Sequence, residues 1–353
     1  MKSMKSYRAV ATVSVLCAFV CLVAAVLIPV PYLNLSPGPL YNTIGESDGT
    51  QLIQISGHPT FPTSGELDLT TVNERGGPYG GLTLPEAMLG WLSPDDVVVP
   101  VEYLYPPGVS KGQVEAENTV EFVGSQSAAV GAALGYLKIP VTEKVAVASV
   151  LANSPASGHL QVGDVIRAVD GKPVKQPQDV PPLVRAHSPG QSVVFSVIRK
   201  DKPMDVSFVL GALPTDPSKA YAGITAGALI VPPFSIKFGL EDVGGPSAGL
   251  MFAMGIVDKL TPNQMTDGKK IAGTGTITPD GNVGPIGGIA QKLAAARDNG
   301  TVLFFAPAGN CPDIRNGGDK GVNVVKVSTL TDAIDALAKF NAEGPGAKLP
   351  RCT

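Results

Sequence analysis

The chain has 353 residues, 44% of them hydrophobic, and a formal net charge of −3. That length and apolar content predict about two domains with cores of their own, and the near-balanced charge gives no sign of a nucleic-acid partner. With 41 glycines and 32 prolines, the composition favours many turns and short strands over a helical bundle.

Residues 9–30 form a run of 22 without a charge, long enough to span a bilayer as a helix. Lys2, Lys5 and Arg8 precede it, and Glu46 and Asp48 are the first charges after it. The positive-inside rule then makes residues 1–8 a cytoplasmic basic tail and residues 9–30 a single-pass transmembrane anchor in the cell membrane, with the body extracytoplasmic. A cleaved signal peptide is the rival. The run is long for a signal core, and no small-x-small cleavage site precedes Pro29.

In residues 31–136, Leu35-Ser36-Pro37-Gly38-Pro39 reads as an extended turn just past the apolar run. Residues 65–72 alternate as a strand. Residues 82–91 read as a short amphipathic helix opened by the capping pattern Thr83-Leu84-Pro85-Glu86. Residues 97–103 are extended. Residues 115–134 read as a helix with Val120, Val123, Ala128, Ala129 and Ala132 available for burial.

In the middle of the chain, Val145, Val147 and Val150 belong to a half-buried strand, and Ser154-Pro155-Ala156 turns the chain. Gly163-Asp164 is a tight turn into an apolar strand at 165–169, and Asp170-Gly171 is a hairpin signal. Residues 178–186 form a short helix stopped by Ser188-Pro189-Gly190, and 193–199 with 204–210 make a closing hairpin. This segment resembles a bacterial PDZ domain of the kind found on exported proteases. The resemblance implies binding of an extended peptide as an added strand, with backbone amides capturing its carboxylate. The matching loop is placed at Tyr136, Leu137 and Ile139, although the usual glycine is missing there. The alternative is a PDZ that only packs against its neighbour and gates access.

Further on, Gly244-Gly245-Pro246-Ser247-Ala248-Gly249 leads into a mostly apolar stretch, 248–260, that reads as a buried helix. A serine hydroxyl needs a base to become a nucleophile at neutral pH. Lys292, in Gly284-Pro285-Ile286-Gly287-Gly288-Ile289-Ala290-Gln291-Lys292, can be that base if burial keeps its amine neutral. Ser247 at a helix N-terminus would face free amides suited to an oxyanion. Together the two segments resemble the proteolytic domain of the Lon protease family. The family serine matches Ser247 in Gly-Pro-Ser-Ala-Gly, the family lysine matches Lys292 after Pro-Ile-Gly-Gly, and the threonine that supports the lysine matches Thr274. Gly245 and Pro246 fall in the oxyanion segment. Two departures are visible: Gly244 stands where an acidic residue is common, and Thr276 where a glutamate is common. Glu241 and Asp242, just before the motif, read as solvating a strand end.

Cys17 and Cys21 lie in the apolar run, which leaves Cys311 and Cys352 as a pair for a disulfide. It would join a glycine-rich loop at 311–321 to a polar tail. His58, His159 and His187 are scattered without ligand spacing, so no metal is expected. No Gly-x-x-x-x-Gly-Lys-Ser/Thr loop occurs, so neither nucleotide nor any other cofactor is expected.

The reading is thus an α+β chain: an N-terminal transmembrane helix, a PDZ β-sandwich or barrel-like domain at 137–213, a Lon-like catalytic domain of mixed sheets and helices at 214–340, and a tail at 341–353. Residues 31–136 are a juxtamembrane segment and the first part of the protease domain, with the PDZ inserted; a separate N-terminal domain in tandem is the alternative. These features resemble a bacterial family of membrane-anchored PDZ–Lon proteins. The implied function is an ATP-independent Ser-Lys endopeptidase acting on extracytoplasmic proteins or peptides, without nucleic acid and possible as a homo-oligomer. The alternative function is an inactive PDZ adaptor.

Overall fold

The structure, a computed structural model, describes residues 2–47, 49–199, 202–240 and 243–352. Glu241 and Asp242 therefore lie outside the described residues. The α-helices, in chain order, are α1 (Lys2–Leu27), α2 (Leu84–Leu92), α3 (Lys111–Tyr136), α4 (Val180–Arg185), α5 (Gly249–Leu260), α6 (Ile289–Asp298), α7 (Cys311–Gly317) and α8 (Leu330–Glu343).

A mixed six-stranded sheet organises the larger body. Its order is Val324–Val327, Leu303–Pro307, Lys270–Gly273, Glu66–Gly76, Tyr32–Asn42, Val97–Pro100. The first four strands are parallel, and Tyr32–Asn42 runs antiparallel to both of its neighbours. Parallel strands need cover on both faces, and the alternation of Leu303-Phe304-Phe305-Ala306 supplies it. Leu303 and Phe305 join a core with α3, α5 and α8; Phe304 and Ala306 join another with Ile289, Leu293 and Ala296 of α6 and Ile314 of α7. Residues from 32–100 and from 270–327 thus share one sheet, and the antiparallel sheet described next is drawn from the residues between them.

The second body is an antiparallel sheet in the order Lys202–Val209, Ser192–Arg199, Val165–Val169, Thr142–Val150, Ile224–Val231. Asp170 (φ 48°) and Gly171 (φ 71°) make the tight turn out of Val165–Val169, both in the left-handed region that a two-residue hairpin turn requires. Val147, Ile166, Val169, Phe195 and Val197 pack with Val180 and Val184 of α4. The edge strand Ile224–Val231 comes from beyond residue 213.

Several expectations need correction. Among the described residues no helix is long and apolar enough to cross a membrane. The helical part of the expected 9–30 span ends at Leu27, and Pro29–Val30 pairs as a strand with Leu82–Thr83. The mixed α+β architecture stands without a transmembrane helix, and the single-pass placement that rested on that helix falls with it. Leu35 to Pro39 is not a turn but the middle of Tyr32–Asn42. Its prolines lack ladder donors, and the register shifts there, between Pro37 and Leu40. Residues 311–317 are helix α7 rather than loop, held down by buried Ile314. The tail buries Ala347 and Leu349 in the large core.

Candidate active site

Ser247 lies in the turn that leads into α5, every residue of which is buried. Gly249 opens that helix, and a β-carbon there would come within 2.7 Å of Ile277 Cγ2. The bare backbone lets α5 press against the segment after Lys270–Gly273. Gly275 N–H donates to Ser247 O (2.9 Å) and Leu250 N–H donates to Gly275 O (3.1 Å), so the serine turn and the threonine segment are laced together. Lys292 sits in the first turn of α6, its N–H bonded to Gly288 O. Gly288 has φ 67°, and a β-carbon there would meet Val72 Cγ2 at 2.6 Å. Only glycine lets the chain start this helix so close to the sheet.

These elements bring Ser247, Lys292 and Thr274 together. Lys292 Nζ donates to Ser247 Oγ (2.7 Å) and to Thr274 Oγ1 (3.0 Å). Thr274 Oγ1 donates to Ser247 O (3.1 Å). Lys292 is 3% exposed and Thr274 fully buried. Loss of hydration lowers the Lys292 amine from 10.5 to about 7, because burial penalises its charged form. The arrangement is a hydroxyl in contact with a lysine that can be neutral near pH 7.

Gly245 N–H donates to Asn118 O of α3 (3.0 Å), and Pro246 has no N–H. Among the described residues, the N–H groups of Ser247 and Ala248 make no hydrogen bond. Gly244 packs on Asn118, where a β-carbon would come within 2.6 Å of the Asn118 Cβ; α3 occupies the space that an acidic side chain would need. Thr276 pairs with Gly284 in a short hairpin. A cleft of about 490 Å³ opens over Ser247 and Lys292, also lined by Val72, Glu74, Tyr79, Tyr105, Asn118 and Glu121.

Two contributors were not read from the sequence. Ser125, buried on α3, donates from Oγ to Pro246 O (3.0 Å). Asn310, 2% exposed, accepts from Ile286 N–H (3.0 Å) and donates to Ile286 O (2.8 Å), pinning the segment before α6. Neither has a local signature, since the contacts cross 121 and 24 residues. Cys311, next to Asn310, is disulfide-bonded to Cys352.

The residues expected to form the peptide loop lie where α3 meets the large core. Tyr136 ends α3, Ile139 N–H donates to Leu134 O, and Leu137 and Ile139 pack against the large core. Helix α4 lies against Asp216–Tyr221, Val165–Val169 and the turn Pro177–Asp179, and it is that turn that Ile224–Val231 meets. Tyr221-Ala222-Gly223 leads into Ile224–Val231. Among the described residues no group of His, Cys, Asp and Glu could hold a metal ion.

Residues 120–210 match the PDZ domain family, and residues 239–339 match the Lon protease (S16) C-terminal proteolytic domain. A probable periplasmic serine endoprotease DegP-like of Pseudomonas putida is 41% identical over 23% of this chain and 17% of its own length. The Lon protease of Mycolicibacterium smegmatis is 36% identical over 27% of this chain and 12% of its own. The crystal structure of the PDZ domain of the SdrC-like protein of Listeria monocytogenes is 28% identical, covering 24% of this chain and 86% of that one, with TM-score 0.22. The chain thus spans less than a fifth of the length of these two curated relatives. It carries a PDZ domain and a serine-endopeptidase domain of the Lon type.

Proposed function

We propose that the protein is an ATP-independent serine endopeptidase with Ser247 as nucleophile and Lys292 as base, and that its PDZ unit presents peptide or protein substrates. The single observation that carries this is the 2.7 Å contact between Lys292 Nζ and Ser247 Oγ on a buried lysine. In the first step the neutral amine takes the Ser247 proton while Oγ attacks the scissile carbonyl carbon. The oxyanion is met by the Ser247 and Ala248 N–H groups at the head of α5, aided by the helix dipole. The lysine ammonium then gives its proton to the leaving amine as the C–N bond breaks. Water, deprotonated by Lys292, cleaves the acyl-enzyme and restores the serine. Thr274 fixes the amine against the hydroxyl.

The PDZ part of the reading rests on the outer edge of Ile224–Val231, the last strand in its sheet, which no further strand among the described residues pairs and which α3 meets through the Ser127–Ile230 hydrogen bond. A peptide added there would gain main-chain hydrogen bonds. The same order along the six-stranded sheet supports the PDZ as an insertion within the protease body.

Peptide hydrolysis by the purified chain tests the dyad. Ser247→Ala and Lys292→Ala should each lose at least about a thousandfold in kcat, and the double variant should be little worse than either single one. Lys292→Met should be as inactive but no less stable to heat, since it removes a buried charge-bearing group while keeping its length. Near-wild-type turnover by Lys292→Ala would contradict the mechanism. No turnover by the wild-type chain would favour the adaptor reading.

A further inference from the structure

The cleft over Ser247 has two walls, each with one carboxylate. The first wall is the strand Glu66–Gly76, where side chains two apart share a face. Thr70 Oγ1 donates to Gly273 O, Val72 lies over Gly288, and Glu74, next on that face, accepts from Tyr105 Oη (2.5 Å). The second wall is α3. Asn118, Glu121 and Ser125 lie along one stripe of that helix, at helical spacings of three and four. Asn118 O holds Gly245 N–H, and Ser125 Oγ holds Pro246 O. Glu121 lies between these two anchors, within a turn of each.

The charges on these walls have one sign. Apart from Lys292 itself, the charged residues lining the cleft among the described residues are Glu74 and Glu121. Among the described residues Glu121, an exposed side chain, has no ion-pair or hydrogen-bond partner; loss of hydration where it lines the cleft, with a smaller push from Glu117, raises its carboxyl above its usual range. A carboxylate in that position gains from a cation beside it. Tyr79 and Tyr105 stand edge to face, ring centres 6.4 Å apart, in the same lining. Aromatic faces attract ammonium and guanidinium groups, whereas an acidic side chain would meet two like charges.

We propose that this cleft selects a cationic side chain, lysine or arginine, beside the scissile bond, with Glu121 and Glu74 as the residues that set the preference. The proposal rests on Ser247 being the nucleophile.

The test uses the full chain and fluorogenic peptides carrying Lys, Arg, Leu or Glu in turn at each position flanking the cleaved bond. At one position, kcat/KM for Lys or Arg should exceed that for Leu by about fivefold or more, with Glu poorer still. The preference should shrink in high salt, as screening requires. Glu121→Gln and Glu74→Gln should each lower the Lys-to-Leu ratio, and Glu121→Asp should restore part of it. Cleavage with Leu or Glu preferred at every position, or a Lys-to-Leu ratio unchanged in both Gln variants, would overturn the proposal alone. If no peptide is cut and Ser247 takes up no serine-directed probe, the nucleophile reading falls, and this proposal with it.

Discussion

Lys292 is buried with two hydroxyls and no ion-pair partner among the described residues. A lysine in that setting gives up its proton near pH 7, and this fixes the direction of the pH dependence. On the proposed mechanism the reactive form is the neutral amine, so activity should be lost as pH falls through about 7 and retained above it. We expect kcat/KM to drop about tenfold per unit on the acid side and to level off above the inflection. A pH–rate profile between 5 and 9, with stability followed by circular dichroism, checks this; a rate that rises on acidification would contradict it. The residues of this centre were legible because each sits in a short local pattern: glycines around Ser247, Pro-Ile-Gly-Gly before Lys292, and Thr-Gly after a buried strand. Ser125 and Asn310 were not, because a serine in a helix and an asparagine before one look the same whether or not a distant carbonyl faces them.

Among the elements, α3 bears on both bodies. One stripe holds Gly245 through Asn118 and Pro246 through Ser125, and Ser127 Oγ accepts from Ile230 N–H of the edge strand (3.2 Å). Ser125→Ala leaves the Pro246 carbonyl without its partner while removing little volume. We expect about 1 kcal/mol lost in stability and, through looser placement of the neighbouring serine, about a fivefold fall in kcat/KM. An unchanged kcat/KM alongside a lower melting temperature would assign Ser125 a purely structural role. Helix α2 was readable from its box, in which Thr83 N–H donates to Glu86 (2.9 Å). The strand Tyr32–Asn42 was not, because two prolines and a glycine carry turn chemistry and only the tertiary ladder to Glu66–Gly76 overrides it. Ile224–Val231 was overlooked for a similar reason: it joins a sheet whose other strands end before it begins, and pairing partners are not written in local sequence.

At the scale of the whole molecule, the large sheet draws its strands from both sides of the PDZ unit, and the Cys311–Cys352 bond ties the tail to the same body. The bond closes a separation of 41 residues, a stabilisation of about 3–4 kcal/mol in the chain-entropy model. Cysteine counting made this pair the one available outside the apolar run, but it could not show that Cys352 packs with Ile286 against the α6 and α7 core. Melting the purified chain with and without reductant should show a marked fall in Tm on reduction, and activity at moderate temperature should decline with it. Identical melting curves would mean that the tail is held by Leu349 and its neighbours alone.

The central claim is that Lys292 makes Ser247 a nucleophile, and intact-mass spectrometry after treatment with a serine-directed phosphonate tests it most directly. The account predicts a single adduct, mapped to Ser247, formed faster as pH rises through about 7, and absent from both Ser247→Ala and Lys292→Ala. An adduct on another residue, or undiminished labelling of Ser247 in the Lys292→Ala protein, would contradict it.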